Sequence, residues 1–149
     1  MTLRETAQMD TQGGREMAVA PCRLHTATRI LVVEGDQATL MMLRFCLHSA
    51  GFLVTEAATG EEALRVLDSQ ATDAVVVDLG LPRDGGRAVL DRIRAADPQP
   101  VWVATSVLDP EEVARLYGRM NGHLLPKPFD PWKLVRALEQ LPPEQSNRR

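Results

Sequence analysis

Short apolar runs alternate along the chain with segments in which apolar residues recur every three or four positions. The runs are rich in β-branched residues and predict strands near residues 29–33, 52–57, 74–77, 101–104 and 122–125. The segments between them predict helices at residues 36–50, 59–69 and 87–96, from 109 onward, and at 132–141. Apolar strands that alternate with helices predict an α/β fold with a doubly wound, five-stranded parallel sheet.

The periodic pattern is confined to residues 29–141, and we expect a single domain there. A chain of 149 residues has the length of one domain of ordinary size. Residues 1–28 are polar and predict a flexible N-terminal extension, with a short helix as the alternative. Residues 142–149 predict a short polar tail.

Composition narrows the class of protein. Hydrophobic residues make up 44% and charged residues 25% of the chain, as in soluble globular proteins, and the net charge of -3 predicts no general attraction to nucleic acid. The apolar runs are shorter than the roughly 18 residues of a membrane span, so we expect a cytoplasmic location. Cys22 and Cys46 have no metal-ligand spacing, and Cys46 is expected in the core.

Polar side chains follow four of the predicted strands. They are Glu34 and Asp36 after the first strand, Asp78 after the third, Thr105 after the fourth and Lys127 after the fifth. In open parallel sheets, ligands bind beyond the carboxyl ends of the strands. Carboxylates there can hold a hard cation such as Mg²⁺ or attack phosphorus, while a hydroxyl and an ammonium group can bind the transferred oxygens. The pattern therefore indicates phosphoryl chemistry.

Four segments give the chain a resemblance to the response-regulator receiver family, from about Arg29 to Leu141. They are Ile-Leu-Val-Val-Glu at 30–34, Val-Val-Val-Asp-Leu-Gly-Leu-Pro at 75–82, Val-Ala-Thr-Ser at 103–106 and Pro-Lys-Pro-Phe at 126–129. The resemblance implies a flavodoxin-like receiver fold. It also implies a domain that takes a phosphoryl group from a histidine kinase or phosphotransfer protein onto an aspartate, with Mg²⁺.

The resemblance assigns a role to five positions. Asp78 matches the phosphoryl acceptor, and Glu34 matches the first residue of the family's acidic pair. Lys127 matches the lysine that contacts the phosphoryl oxygens, and Thr105 matches the switch hydroxyl. With Glu34 and Asp78, the backbone carbonyl of Gly80 corresponds to a metal ligand. The family also implies a cis peptide bond after Lys127.

The sequence departs from the family at the second acidic position, which is Gly35. Asp36 is a candidate replacement as a metal ligand, but Asp is also a preferred N-cap and is expected to begin the first helix. We therefore expect weak Mg²⁺ binding and slow or absent phosphorylation.

Two further departures lie near the site. Leu124 stands three residues before the lysine, where the family has an aromatic residue, although a one-residue insertion would place His123 there instead. Asp84-Gly85 is displaced by one residue from the family's Asp-Gly. Trp102, Trp132 and Phe129 are expected to be packing residues.

Three functions follow in order of preference. The first is a receiver, either stand-alone or a fragment of a longer protein, that accepts a phosphoryl group on Asp78 and switches its affinity for a downstream protein, with a homodimer as one outcome. The second is a degenerate receiver that binds its partner without phosphate, which Gly35 motivates. The third, an enzyme of similar topology, is disfavoured because the sequence has no glycine-rich phosphate loop.

Overall fold

A computed structural model describes residues 28–121 and 123–140. In this part of the chain a parallel sheet has the strand order β2-β1-β3-β4-β5. The strands are β1 (Arg29–Val33), β2 (Leu53–Ala57), β3 (Ala74–Asp78), β4 (Val101–Ser106) and β5 (Leu124–Pro126). The helices are α1 (Gln37–Ser49), α2 (Gly60–Ser69), α3 (Gly85–Arg94), α4 (Pro110–Tyr117) and α5 (Pro131–Glu139), with a 3₁₀ turn at Pro82–Asp84. The predicted doubly wound α/β fold is confirmed.

Most element boundaries differ from the prediction by one or two residues, and two of the differences have a clear physical reason. Helix α3 begins at Gly85 rather than Arg87, because two glycines let its first turn pack closely against neighbouring backbone. Strand β5 ends at Pro126, because its register against β4 pairs Ser106 with that residue. Residues 1–27 with Cys22, the predicted strand start at Gly122, and residues 141–149 lie outside the described part of the chain.

The sheet separates two hydrophobic cores. Alternate residues of β1 face opposite sides, so Leu31 and Val33 pack under α2, α3 and α4, while Ile30 and Val32 pack under α1 and α5. Every residue of β3 is buried. The central strand is therefore fixed on both faces, and so is the position of the residue that ends it.

The structure confirms the predicted burial of three packing residues and contradicts that of a fourth. Cys46 and Trp102 are buried in the two cores, and Phe129 packs against the core beneath α1 and α5, as expected. The prediction for Trp132 is wrong, because its side chain is 42% exposed. Trp132 lies in the first turn of α5, off the buried stripe that Leu134 and its neighbours form.

Side-chain caps set the beginnings of four helices. The capping residues, each accepting a hydrogen bond from a main-chain N–H two or three residues later, are Asp36 for α1, Thr59 for α2, Asp109 for α4 and Asp130 for α5. All four helices directly follow strands of the parallel sheet that end at the same edge, β1, β2, β4 and β5. The caps therefore keep the chain turning sharply at the edge where the candidate residues lie.

Candidate functional site

The carboxyl ends of β1, β3, β4 and β5 bring the predicted residues to one edge of the sheet. Asp78 is the last residue of β3, and its Cα pairs with that of Thr105 on β4. Glu34 directly follows Val33, the residue of β1 that pairs with Val77. Because the strands are parallel and in register, residues far apart in the sequence become neighbours here.

Lys127 joins the two carboxylates of the site. Its Nζ lies 3.1 Å from Oε1 of Glu34 and 3.4 Å from Oδ2 of Asp78. Main-chain N–H groups hold the other two carboxylate oxygens: that of Gly80 donates to Oδ1 of Asp78 at 2.9 Å, and that of Asp36 donates to Oε2 of Glu34 at 3.1 Å. The carboxylates are therefore fixed in place before any ligand arrives.

The two carboxylates and one ammonium group leave the site with an excess negative charge. Burial, with Glu34 only 3% exposed, is the main reason why the pKa of its carboxyl is raised, and the charge of Asp78 raises it further. The N–H of Asp36 and the ammonium of Lys127 only partly offset this increase. Repulsion between the two carboxylates is thus a direct reason for the site to attract another cation.

The ammonium of Lys127 is stabilised by the same arrangement. Burial lowers the pKa of this group, but the charges and hydrogen bonds of Asp78 and Glu34 outweigh burial and raise it above its usual value. Lys127 therefore stays charged at neutral pH and can bind anionic oxygens.

Thr105 lies beside Asp78 in the adjacent strand and is 1% exposed. Its carbonyl accepts a hydrogen bond from the N–H of Leu79 at 2.9 Å, which ties β4 to the residue after Asp78. The neighbouring hydroxyl of Ser106 accepts instead from the N–H of Leu108 in the β4–α4 loop. The structure therefore brings Thr105 to the site and turns Ser106 toward the loop.

Asp36 does not join this cluster. Its Oδ2 accepts hydrogen bonds from the N–H and the hydroxyl of Thr39, at 3.0 and 2.6 Å, and these bonds lower the pKa of its carboxyl. Its side chain caps α1, so the interpretation as an N-cap is confirmed, while its role as a substitute ligand stays a prediction. Within residues 28–121 and 123–140, no three His, Cys, Asp or Glu side chains are grouped to hold a metal ion.

Comparison with known proteins decides the family. The family model described as "Response regulator receiver domain" matches residues 30–139. The chain belongs to the response regulator receiver family. Receiver domains generally bind Mg²⁺ for phosphorylation and interact with histidine kinases and downstream effectors.

Individual relatives agree with this assignment. The chain is 39% identical over 115 residues to the response regulator MprA of Mycolicibacterium vanbaalenii, a match that covers 76% of this chain and 46% of MprA. It is 33% identical over 115 residues to an uncharacterized 14.6 kDa protein of Leptolyngbya boryana, covering 74% and 87% of the two chains. The chain thus spans about half the length of MprA but most of the shorter relative.

Solved structures confirm the fold. A CheY-like receiver domain protein of Methanospirillum hungatei superposes with a TM-score of 0.70 at 22% identity, covering 82% of this chain and 98% of that one. As a separate finding, none of the helices described for this receiver is long and apolar enough to cross a membrane.

Gly35 is the position where this receiver lacks an acidic residue. A Cβ built there would lie 3.3 Å from Cδ2 of Leu81 and 3.7 Å from the carbonyl oxygen of Ala58. The nearer atom is the free end of a flexible side chain, which can move by a few tenths of an ångström. The backbone therefore does not require glycine, and the missing carboxylate is a change of chemistry and not of shape.

Leu124 and His123 are the two candidates for the family's aromatic position, and the Cα of Leu124 pairs with that of Ala104. The half-buried ring of His123 stacks on Trp102 with centroids 4.3 Å apart, and its Nδ1 hydrogen-bonds the carbonyl oxygen of Trp102 at 2.7 Å. Neither residue therefore supplies a free aromatic ring at the site. The peptide bond between Lys127 and Pro128 is cis, as the resemblance implied.

Sequence reasoning missed a tyrosine of α4. Its side chain reaches the loop that follows Asp78 (residues 79–84), which is called the acceptor loop below. The hydroxyl of Tyr117 donates to the carbonyl oxygen of Leu79 at 3.2 Å, and two α3 arginines, Arg87 and Arg94, contact Tyr117. The seven-residue spacing of the arginines along α3 was the available signal, since it places both on one helix face. Periodicity does not reveal which neighbouring helix they contact.

Proposed function

We propose that this receiver accepts a phosphoryl group on Asp78 from a histidine kinase or phosphotransfer protein, and that acceptance changes its affinity for a protein partner. One observation carries the proposal. The carboxylate of Asp78 ends the fully buried central strand, with one oxygen held by a backbone N–H and the other beside the ammonium of Lys127. A nucleophile fixed in this way has little freedom to lose before it reacts.

The transfer itself requires no other covalent partner. A carboxylate oxygen of Asp78 forms the new P–O bond while the P–N bond of the donor phosphohistidine breaks. The electron pair of that bond stays on the imidazole nitrogen, which takes up a proton from solvent. Lys127, beside Asp78, binds the transferred oxygens, and Thr105, whose Cα pairs with that of Asp78 in the adjacent strand, supplies a hydroxyl to donate to them.

The residues present fit a divalent cation with a reduced set of ligands. The buried carboxylates of Glu34 and Asp78 repel each other, and a hard oxygen-seeking ion such as Mg²⁺ relieves that repulsion. These two side chains, with the backbone carbonyl of Gly80, would hold the ion. When bound, Mg²⁺ supplies neutralising charge to the phosphoryl oxygens. Since Gly35 contributes no carboxylate, binding is expected to be weak.

Phosphorylation changes the balance of charge around Lys127. A phosphoryl group adds about 1.5–2 negative charges, so Lys127 is drawn from Glu34 toward the new oxygens. Thr105 is drawn in from β4, and this strand leads directly into the loop that carries Val107, which is 77% exposed. An exposed apolar residue in a loop that responds to phosphorylation is suited to contact a partner protein.

Intact mass spectrometry tests the proposal directly. The wild type is incubated with acetyl phosphate and Mg²⁺, and in parallel with a phosphorylated histidine phosphotransfer protein. We expect a single phosphoryl adduct on the wild type and none on Asp78→Asn. Asp84→Asn is a matched control, because it removes an exposed carboxylate from the same loop at a left-handed position that Asn tolerates, and it should retain the adduct.

Either of two results contradicts the proposal. One is an adduct of equal yield on Asp78→Asn, which would place the phosphoryl group elsewhere. The other is the absence of an adduct on the wild type with both donors, which would favour the phosphate-independent binding module.

A further inference from the structure

Tyr117 is the last residue of α4, and its side chain reaches back to the residue that follows the phosphoacceptor. We infer that Tyr117 is a positioning residue that couples the acceptor loop to α4. This inference rests on the proposed function for its biological purpose. The contact itself joins two elements whose sequence positions are 38 residues apart.

Leu79 is held on both sides by hydrogen bonds. Its N–H donates to the carbonyl oxygen of Thr105 on β4 at 2.9 Å, and its carbonyl accepts from the hydroxyl of Tyr117 at 3.2 Å. Leu79 is also buried in the core beneath α2, α3 and α4. A displacement of Asp78 is therefore transmitted by its neighbour in two directions, into β4 and into α4.

Tyr117 is in turn fixed by the arginines of α3. The guanidinium of Arg87 lies 4.5 Å from the centre of the tyrosine ring, and its Nη2 donates to the carbonyl oxygen of Leu116 at 2.7 Å. Nη1 of Arg94 donates to the carbonyl oxygen of Tyr117 at 2.8 Å. Both cations thus satisfy carbonyls at the C-terminal end of α4, where positive charge is favourable.

Helix α4 has little other anchorage. It has eight residues, and Val113 is its one buried side chain. After Tyr117 the chain turns away at Gly118, whose φ of 86° ends the helix. With so small a buried face, the orientation of α4 depends on the bonds at its last turn, which the tyrosine hydroxyl connects to the acceptor loop.

The residues of β5 and the histidine before it do not offer an equivalent hydrogen bond to the acceptor loop. Leu124 has no side-chain hydrogen-bonding group, and the ring of His123 is engaged with Trp102. The hydroxyl of Tyr117 contacts the carbonyl oxygen of Leu79 directly, within the core beneath α2, α3 and α4. The coupling proposed here therefore belongs to this chain's own contacts.

Amide chemical shifts measured by NMR test the coupling without any phosphoryl donor. Asp78→Asn removes the charge at the acceptor, and the resulting shift changes are mapped once with Tyr117 present and once in a Tyr117→Phe background. We expect the amides of Ala114 and Leu116 to shift in the first case and to lose that shift in the second. The amide of Thr105 should shift in both, because it lies next to Asp78 in the sheet.

A control separates the tyrosine hydroxyl from the stability of α4. Ala114→Gly loosens the helix at an exposed position and leaves the hydroxyl in place, so the response of Leu116 to Asp78→Asn should persist. The inference is overturned if the α4 amides respond equally in the phenylalanine background, if they do not respond in the tyrosine background, or if Ala114→Gly also abolishes the response. Failure of Asp78 to accept a phosphoryl group refutes the proposed function without affecting these shifts.

Discussion

Two loops at the same edge of the sheet depart from the family, and they differ in how much room the nearby backbone leaves for an added side chain. The β1–α1 loop, with Glu34, Gly35 and Asp36, lacks a carboxylate, and a Cβ at its glycine would press only on the end of the Leu81 side chain, at 3.3 Å. The β3–α3 loop, which follows Asp78, leads into the first turn of α3, where an added Cβ would meet backbone. A Cβ at Gly86 would lie 2.6 Å from the carbonyl oxygen of Asp78 and 2.7 Å from Cα of Leu79.

The difference shows which features of the site can change independently of the fold. In the first loop a side chain can be added or removed with little effect on the backbone, so that loop can tune the charge of the site. In the second loop the backbone of α3 packs directly against the end of β3. That loop therefore determines where Asp78 lies, and its geometry is fixed by close packing.

The largest expected effect comes from removing the ammonium group of Lys127, which connects Glu34 in the first loop with Asp78 at the start of the second. Lys127→Ala takes away the cation between Glu34 and Asp78 and the donor to the phosphoryl oxygens. We expect the rate of phosphoryl acceptance to fall about 100-fold, as for the loss of one oxyanion donor. Adduct formation followed over time by mass spectrometry measures the rate, with Lys133→Ala on α5 as the control. An unchanged rate for Lys127→Ala would mean that the lysine is structural only.

Gly86→Ala should show that the first turn of α3, into which the second loop leads, is closed to change. Its added methyl group clashes with backbone, so we expect the free energy of unfolding to fall by roughly 1–3 kcal/mol. Gly35→Ala is the matched substitution in the first loop and should change stability by less than about 0.5 kcal/mol. Urea denaturation measures both. Equal losses of stability in the two variants would remove the distinction between the loops.

Gly35→Asp should restore charge to the first loop. One more carboxylate close to Glu34 and Asp78 is expected to tighten Mg²⁺ binding about tenfold, because ligand charge sets the affinity of such sites. Isothermal titration calorimetry measures the dissociation constant, and Gly35→Asn controls for shape because it adds nearly the same side chain without the charge. If Asn tightens binding as much as Asp does, charge is not the reason.

The smallest expected effect concerns pH. The raised pKa of Glu34 means that the folded state binds the proton more tightly than the unfolded state does. The free energy of unfolding should therefore decline as pH rises from about the ordinary value of 4.5 through the folded pKa. Glu34→Gln cannot ionise, so its stability relative to the wild type should increase over that range.

Urea denaturation at a series of pH values checks this prediction. Glu111→Gln, at an exposed position on α4, serves as the control, and its difference from the wild type should not follow the same trend. A stability of Glu34→Gln, relative to the wild type, that falls as pH rises would contradict the assigned direction.

The fold and the main site residues could be predicted from the sequence for a physical reason. Fully apolar runs identify buried parallel strands, and parallel strands bring their carboxyl ends to one edge, so Glu34, Asp78, Thr105 and Lys127 had to be neighbours. The role of Asp36 was left between two alternatives, because the same side chain suits a helix cap and a metal ligand. Only the hydrogen bonds to Thr39 distinguish them.

Contacts between helices could not be predicted in the same way. Periodicity identifies which face of a helix is buried, but not how far one helix is shifted along its neighbour. The contacts of Arg87 and Arg94 with the end of α4 depend on that shift. The exposure of Trp132 was missed for a similar reason, since its apolar character says nothing of its position relative to the buried stripe of α5.

The ion pair between Lys127 and Glu34 joins residues 93 positions apart. Because β5 is synthesised after the other four strands, this pair cannot form until the chain has been produced as far as Lys127. A nascent chain that has not yet produced β5 would hold two neighbouring carboxylates without their cation. The cluster of charges would then be complete only in molecules that contain all five strands.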